Sequence, residues 1–146
     1  MKRITQVSAV LSLMVSFSIY AKPVVEMYKS PSCTCCEEWA NIMQNKGYNV
    51  ELQPTNNWHN VKKSFGMPSK LVSCHTAVID GYMIEGHVPE KDIAKLLAEK
   101  PSDIVGLSAP GMPQHSPGMA APGQAYQGFD VIAFDRSGAT RNFSLY

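Results

Sequence analysis

A β-prone run from Val24 to Tyr28 ends at Lys29-Ser30-Pro31-Ser32 and is followed at once by Cys33-Thr34-Cys35-Cys36. Beyond it, Cys36, Trp39, Ala40 and Met43 recur at i, i+3, i+4 and i+7, the buried stripe of an amphipathic helix. Glu37 and Glu38 fall in its first turn and Lys46-Gly47 closes it, so a helix is expected over about 35–46. Strand, cysteine turn and helix form a restrictive opening, because the sulfurs then stand at the positive end of a helix dipole. That environment favours thiolate, the form that binds metal or attacks a disulfide.

The next segments follow the same grammar. Tyr48 to Leu52 reads as a second strand. Pro54 to Asn57 makes a turn, with Asn57 placed to cap a helix that runs through Phe65 and stops at Gly66 and Pro68. Thr76 to Ile79 and Tyr82 to Ile84 flank Asp80-Gly81, a strong hairpin signal. Pro89 suits the first position of a further helix, with Glu90 and Asp92 at its positive end, a stripe of Ile93, Leu96 and Leu97, and Lys100-Pro101 ending it. The order β-α-β-α-β-β-α predicts a thioredoxin-like α/β sandwich. Ser108 to Gly128 is a long Met/Pro/Gly loop carrying Met112, His115 and Met119, and loops of this length are usually functional or disordered. Asp130 to Phe134 and Thr140 to Tyr146, joined by a turn at Asp135-Arg136-Ser137-Gly138, predict a C-terminal hairpin over 129–146.

The N-terminus sets the compartment. Met1-Lys2-Arg3 and the mostly apolar stretch Val7 to Tyr20 read as a secretory signal over 1–21, with Ala21 the last residue removed. Ile19 fits the small-x-small cleavage rule poorly, and an uncleaved anchor is the alternative, although the stretch is short for ~30 Å of hydrocarbon. Residues 22–146 then make one domain. A formal charge of +1, 17% charged residues and no basic run after residue 3 offer nothing for nucleic acid or, after cleavage, for a membrane surface. Export places the thiols where disulfides persist.

Cys33 and Cys36 have the spacing of a redox dithiol, which leaves Cys35 surplus. Closely spaced thiolates can instead hold and bridge soft metal ions. Cys74, in Ser73-Cys74-His75, stands just before the third strand, where thioredoxins carry a cis-proline against the helix mouth. Cys33, Cys35, Cys36 and Cys74 are therefore the first candidate ligands. His87, at the end of the fourth strand, and His75 are the next. Alternation along a strand sends adjacent Cys74 and His75 to opposite faces, unless the strand starts after them. Met112 and Met119 lie off any apolar stripe, and thioethers select cuprous copper, so the loop reads as a capture arm or lid. His115 is a weaker candidate and His59 an exposed helical residue. Met43 and Trp39 read as core, Met27 is ambiguous, and Met67 and Met83 flank the site. This inventory suits a copper site, mainly for Cu(I). The competing readings are a thiol–disulfide oxidoreductase with Cys33 as nucleophile and Cys36 as resolving thiol, a structural zinc site of four cysteines, and a pair of structural disulfides.

Ser30-Pro31-Ser32-Cys33-Thr34-Cys35-Cys36, Ser73-Cys74-His75-Thr76-Ala77, Gly86-His87-Val88-Pro89, and Pro110-Gly111-Met112-Pro113 with Ser116-Pro117-Gly118-Met119 resemble the CopG copper-resistance family. These are exported thioredoxin-like proteins long grouped under a domain of unknown function. The resemblance spans essentially the whole mature chain. It implies periplasmic copper handling by a cysteine-bridged cluster of several copper ions, with cycling between Cu(I) and Cu(II) compatible with it. Periplasmic copper exporters or chaperones are the corresponding partners. His115 stands where glycine is commoner in the family, as an extra ligand or a solvent-facing replacement.

Overall fold

The computed structural model describes residues 21–146, and the expected signal segment up to residue 20 lies outside them. The strands are β1 (Val24–Lys29), β2 (Asn49–Pro54), β3 (His75–Ile79), β4 (Tyr82–Gly86), β5 (Gly106–Ala109), β6 (Asp130–Phe134) and β7 (Thr140–Leu145). The helices are α1 (Thr34–Asn45), α2 (His59–Ser64) and α3 (Glu90–Glu99), with a 3-10 turn at Ser69–Leu71. All strands join one sheet in the order β2-β1-β3-β4-β5-β6-β7. β1 runs parallel to β2 and antiparallel to β3, and β3 and β4 form the Asp80-Gly81 hairpin. This is the expected thioredoxin-like sandwich with a C-terminal hairpin added.

Strand alternation builds two unequal layers. Val25, Met27, Ala77, Ile79 and Ile84 share the face covered by Trp39, Ala40 and Met43 of α1 and Ile93 and Leu96 of α3. The opposite face gathers Leu71, Met83 and Phe134, with Phe65 and Met67 packed against them. Met27 and Met43 are thus core. Met67 and Met83, expected to flank the site, belong instead to the smaller cluster on the face away from α1.

Three boundaries differ from the sequence reading. Gly106–Ala109 is a strand, paired parallel to β4, so Ser108 and Ala109 belong to the sheet and the loop starts at Pro110. A four-residue Gly-Leu-Ser-Ala segment has little β-propensity of its own, and burial between β4 and β6 holds it in place. The C-terminal hairpin consequently extends this same sheet. Asn57 does not cap α2. Trp58 is the N-cap residue, and Asn57 donates its backbone N–H to Thr55 Oγ1 at 3.1 Å within a local turn. Pro89 is itself the N-cap of α3 rather than its first helical residue, and Leu97 is only half-buried. Asp92, buried on α3, accepts from Ser144 Oγ at 2.8 Å and Tyr146 Oη at 2.6 Å, which ties the hairpin to the helix layer.

Glu85 of β4 is buried on the smaller face. It accepts from Lys62 Nζ at 2.6 Å, Thr76 Oγ1 at 2.5 Å and the Ser73 backbone N–H at 2.8 Å. Burial raises its carboxyl pKa, against the pull of these donors. In Lys62→Met the carboxylate loses its only cationic partner at this contact, and we expect about 3 kcal/mol of destabilisation at pH 7.5. A raised folded-state pKa means Glu85 favours folding most when protonated. The deficit should therefore shrink as pH falls through that pKa into the ordinary carboxylate range. Urea unfolding of both proteins at pH 7.5 and 4.5 checks the size and the sign.

Candidate metal centre

α1 begins immediately after β1, with Cys33 at the N-cap and no side chain satisfying the first-turn N–H groups. Cys33 and Cys35 are half-exposed at this mouth, while Cys36 faces inward and is buried. Facing them is Ser73-Cys74, the limb that enters β3. Sulfur or nitrogen atoms of two overlapping groups lie within 4.8 Å of one another: Cys33, Cys35, Cys36 and Cys74, and then Cys74, His75 and His87. Cys74 belongs to both.

Within the first group Cys33 and Cys36 are joined by a disulfide, and Cys35 and Cys74 are free. Cys35 Sγ lies 3.5 Å from Cys33 Sγ, and Cys36 Sγ contacts the Cys74 carbonyl at 3.8 Å. Holding metal on all four sulfurs therefore requires the reduced form. Desolvation is the main reason the Cys74 thiol is pushed up to about 11, and the nearby Cys35 raises it further against a lowering hydrogen bond from Ser73. A cation that displaces the proton removes this penalty.

The second group is held by buried imidazoles. His87 Nε2 is 3.0 Å from Cys74 Sγ, and its Nδ1 is 2.7 Å from the Pro117 carbonyl. A carbonyl only accepts, so Nδ1 carries the proton and Nε2 presents its lone pair to the sulfur. His75 Nδ1 lies 3.6 Å from Cys74 Sγ, and its Nε2 is buried without a hydrogen-bond partner. Burial lowers the pKa of both histidines, which keeps them neutral and able to ligate. The alternation objection to Cys74 and His75 sharing a metal dissolves because β3 begins at His75, leaving Cys74 outside the pleat. Trp39 donates from Nε1 to the Val88 carbonyl at 2.9 Å, and its ring centroid lies 4.8 Å from that of His75. It is core and wall at once.

The loop after β5 is strapped over this region. Ser73 Oγ donates to the Gly111 carbonyl, and the Gly111 N–H donates to the Val72 carbonyl at 3.0 Å. Gly118 sits so close to α1 that a Cβ would lie 2.8 Å from both Cys35 O and Trp39 N, and its φ of +83° also favours glycine. Met119 follows at once and is half-buried, whereas Met112 is 59% exposed beside Phe129 and Tyr146. His115 pairs with Gln124 at 2.8 Å and falls in neither donor group, and His59 is exposed on α2. The reading of the sequence missed Glu85, the Ser73 hydroxyl and the Pro117 carbonyl. The only sequence hint was a charged residue inside the otherwise apolar strand Tyr82–Gly86.

Two solved structures match this architecture, both named copper resistance protein CopG, in a form 1 and a form 2. They are 35% and 34% identical to the chain, each with a TM-score of 0.77, and each alignment covers 86% of this chain and 98% of the other. The chain belongs to the CopG family of copper-resistance proteins. A family model described as a protein of unknown function, DUF411, matches residues 71–119. That segment carries Cys74, His75, His87 and both loop methionines of this CopG-family chain. No curated protein matches.

Two predictions test the geometry. Alkylation of Cys74 in the metal-free protein should be slow at pH 8, where roughly a thousandth of a thiol with a pKa of about 11 is thiolate, and should accelerate toward that pH. Mass mapping of iodoacetamide adducts follows it. Gly118→Ala should undock the loop, at a cost of roughly 2 kcal/mol or more from left-handed strain and backbone crowding. Faster alkylation of Cys35 and faster amide exchange over 113–126 would report it.

Proposed function

We propose that this chain is a periplasmic copper-binding protein of copper resistance. In its reduced state Cys33, Cys35, Cys36 and Cys74 hold Cu(I) ions in a cysteine-bridged multicopper site bordered by His87 and His75. The observation that carries the reading is the convergence of four sulfurs within 4.8 Å of one another at a helix N-terminus. Thiolates are soft donors that can be shared between cuprous ions, and the positive helix end offsets their charge. The copper-resistance name of the matched structures and the secretory features of the N-terminus agree with it. Met119 and the exposed Met112 would supply thioethers for capture, and exporters or chaperones of the same compartment would be the exchange partners. The mixed sulfur and imidazole donors are also suited to cycling between Cu(I) and Cu(II).

The alternative, a thiol–disulfide oxidoreductase, is favoured by one observation, the Cys33–Cys36 disulfide itself. The backbone beside Cys74 weighs against it. Gly111 occupies the Val72 carbonyl, and Glu85 occupies the Ser73 N–H. The edge that a substrate peptide would pair with is already filled by the chain's own atoms.

Anaerobic loading of the reduced, processed chain with Cu(I), followed by metal analysis, tests the reading. More than one tightly held copper per chain is expected. Cys35→Ser should cut that number sharply while leaving the Cys33–Cys36 pair able to form its disulfide. No retained copper, together with reduction of insulin disulfides by both proteins, would assign the chain to the oxidoreductases instead.

A further inference from the structure

The Cys33–Cys36 disulfide removes two sulfurs from the larger donor group and none from the smaller one. Cys74, His75 and His87 are untouched by it, and their donor atoms still lie within 4.8 Å of one another. The geometry points to a separate single-metal site on Cys74 Sγ, His75 and His87 Nε2 that this chain keeps when Cys33 and Cys36 are oxidised. It takes a copper ion, and it rests on the reading of the reduced chain as a copper protein.

Three features mark this as a built site. Its spacing is close to that of a metal's ligand shell: bonds of ~2.3 Å to sulfur and ~2.0 Å to nitrogen at tetrahedral angles put S and N about 3.6 Å apart. Cys74 Sγ lies 3.6 Å from His75 Nδ1 and 3.0 Å from His87 Nε2, so a small opening on the His87 side suffices. His87 is oriented for the task, because its outer nitrogen donates to the Pro117 carbonyl and its inner one faces the sulfur. His75 is fully buried and directs Nδ1 to the same sulfur, which leaves its outer nitrogen Nε2 to carry the ring proton. One thiolate with two neutral imidazoles serves either oxidation state of copper, whereas the four-sulfur group favours Cu(I) alone. The oxidised chain therefore retains one ion where the reduced chain holds several, and the disulfide sets the copper number without emptying the protein.

The deciding experiment compares the processed chain in two states, reduced with four alkylatable thiols and oxidised with two. Each is loaded anaerobically with Cu(I) against a chromophoric cuprous chelator. The oxidised form should retain one copper per chain. His87→Ala removes a ligand and should weaken that retention by about 100-fold or more, since losing even a ligand's supporting hydrogen bond costs 10–100-fold. Cys35→Ser should leave it unchanged. The double variant Cys33→Ser with Cys36→Ser removes the same two sulfurs without oxidation and should also keep one copper. It decides the matter if the histidine variant fails to fold by circular dichroism. An oxidised form and a double variant that both retain nothing would overturn the inference, as would copper that depends on Cys35 and not on His87. Copper in the reduced form alone would sink this site and leave the proposed function standing. Copper in the oxidised form alone would overturn both, because the reduced chain carries the same Cys74, His75 and His87 donors.

Discussion

The register between β1 and β3 is the constraint on which the site depends. Lys29, the last residue of β1, pairs with His75, the first of β3. The chain leaves β1 directly into the cysteine turn and arrives at β3 directly from Cys74. Pairing Lys29 with His75 therefore fixes the two cysteine-bearing limbs side by side at one end of the sheet. A slip of one residue would turn His75 away from Trp39 and put Thr76 in its place. Lys29 reinforces the register, since its buried amine bonds Glu37 of α1 at 2.9 Å and the Ser30 carbonyl at 3.1 Å.

Around that register the two faces divide the labour. The α1 face gathers candidate donor atoms and their walls: His75 beside Trp39, and His87 edge-on to His75 with centroids 4.9 Å apart. The opposite face supplies the anchor, because Thr76 and Glu85 form a buried polar knot with Lys62 and the Ser73 N–H. Cys74 lies at the seam. Its limb is held from below by Glu85 and from above by Gly111, so its sulfur is presented to both donor groups without being part of a strand. Buried polar groups are expensive unless paired, and nearly all of these are paired. His75 Nε2 is an exception within the centre itself.

Much of the fold was legible because its signals are local. The helix stripe from Cys36 to Met43, the Asp80-Gly81 turn and the Pro-initiated α3 each identify themselves within a dozen residues. β5 was not legible, since Gly-Leu-Ser-Ala becomes a strand only by burial between β4 and β6. The cap of α2 fell to Trp58, one residue later than expected, because Asn57 is drawn into a local turn by its backbone N–H bond to Thr55 Oγ1. Among site residues, the three clustered cysteines announce soft-metal or dithiol chemistry by spacing alone. Cys74 and His75 stood out only through their place before the third strand of a thioredoxin-like order, and His87 through its place at the end of the fourth strand and the family motif around it. Nothing in a one-dimensional reading could find the Pro117 carbonyl, which contributes through backbone geometry and not through its side chain.

Apart from β5, the sequence by itself determined the element types, the clustering of thiols and the strand-turn-helix that sets three sulfurs at a helix mouth. These follow from hydrophobic period, turn residues and cysteine spacing, all short-range properties of the chain. Only the tertiary structure decided that Cys74 belongs to two donor groups, that His87 shows Nε2 to it, and that the loop's own backbone closes the edge beside it. Those outcomes depend on strand register and on a loop crossing from β5 back to α1. They bring together residues tens of positions apart, and no local propensity encodes such a meeting.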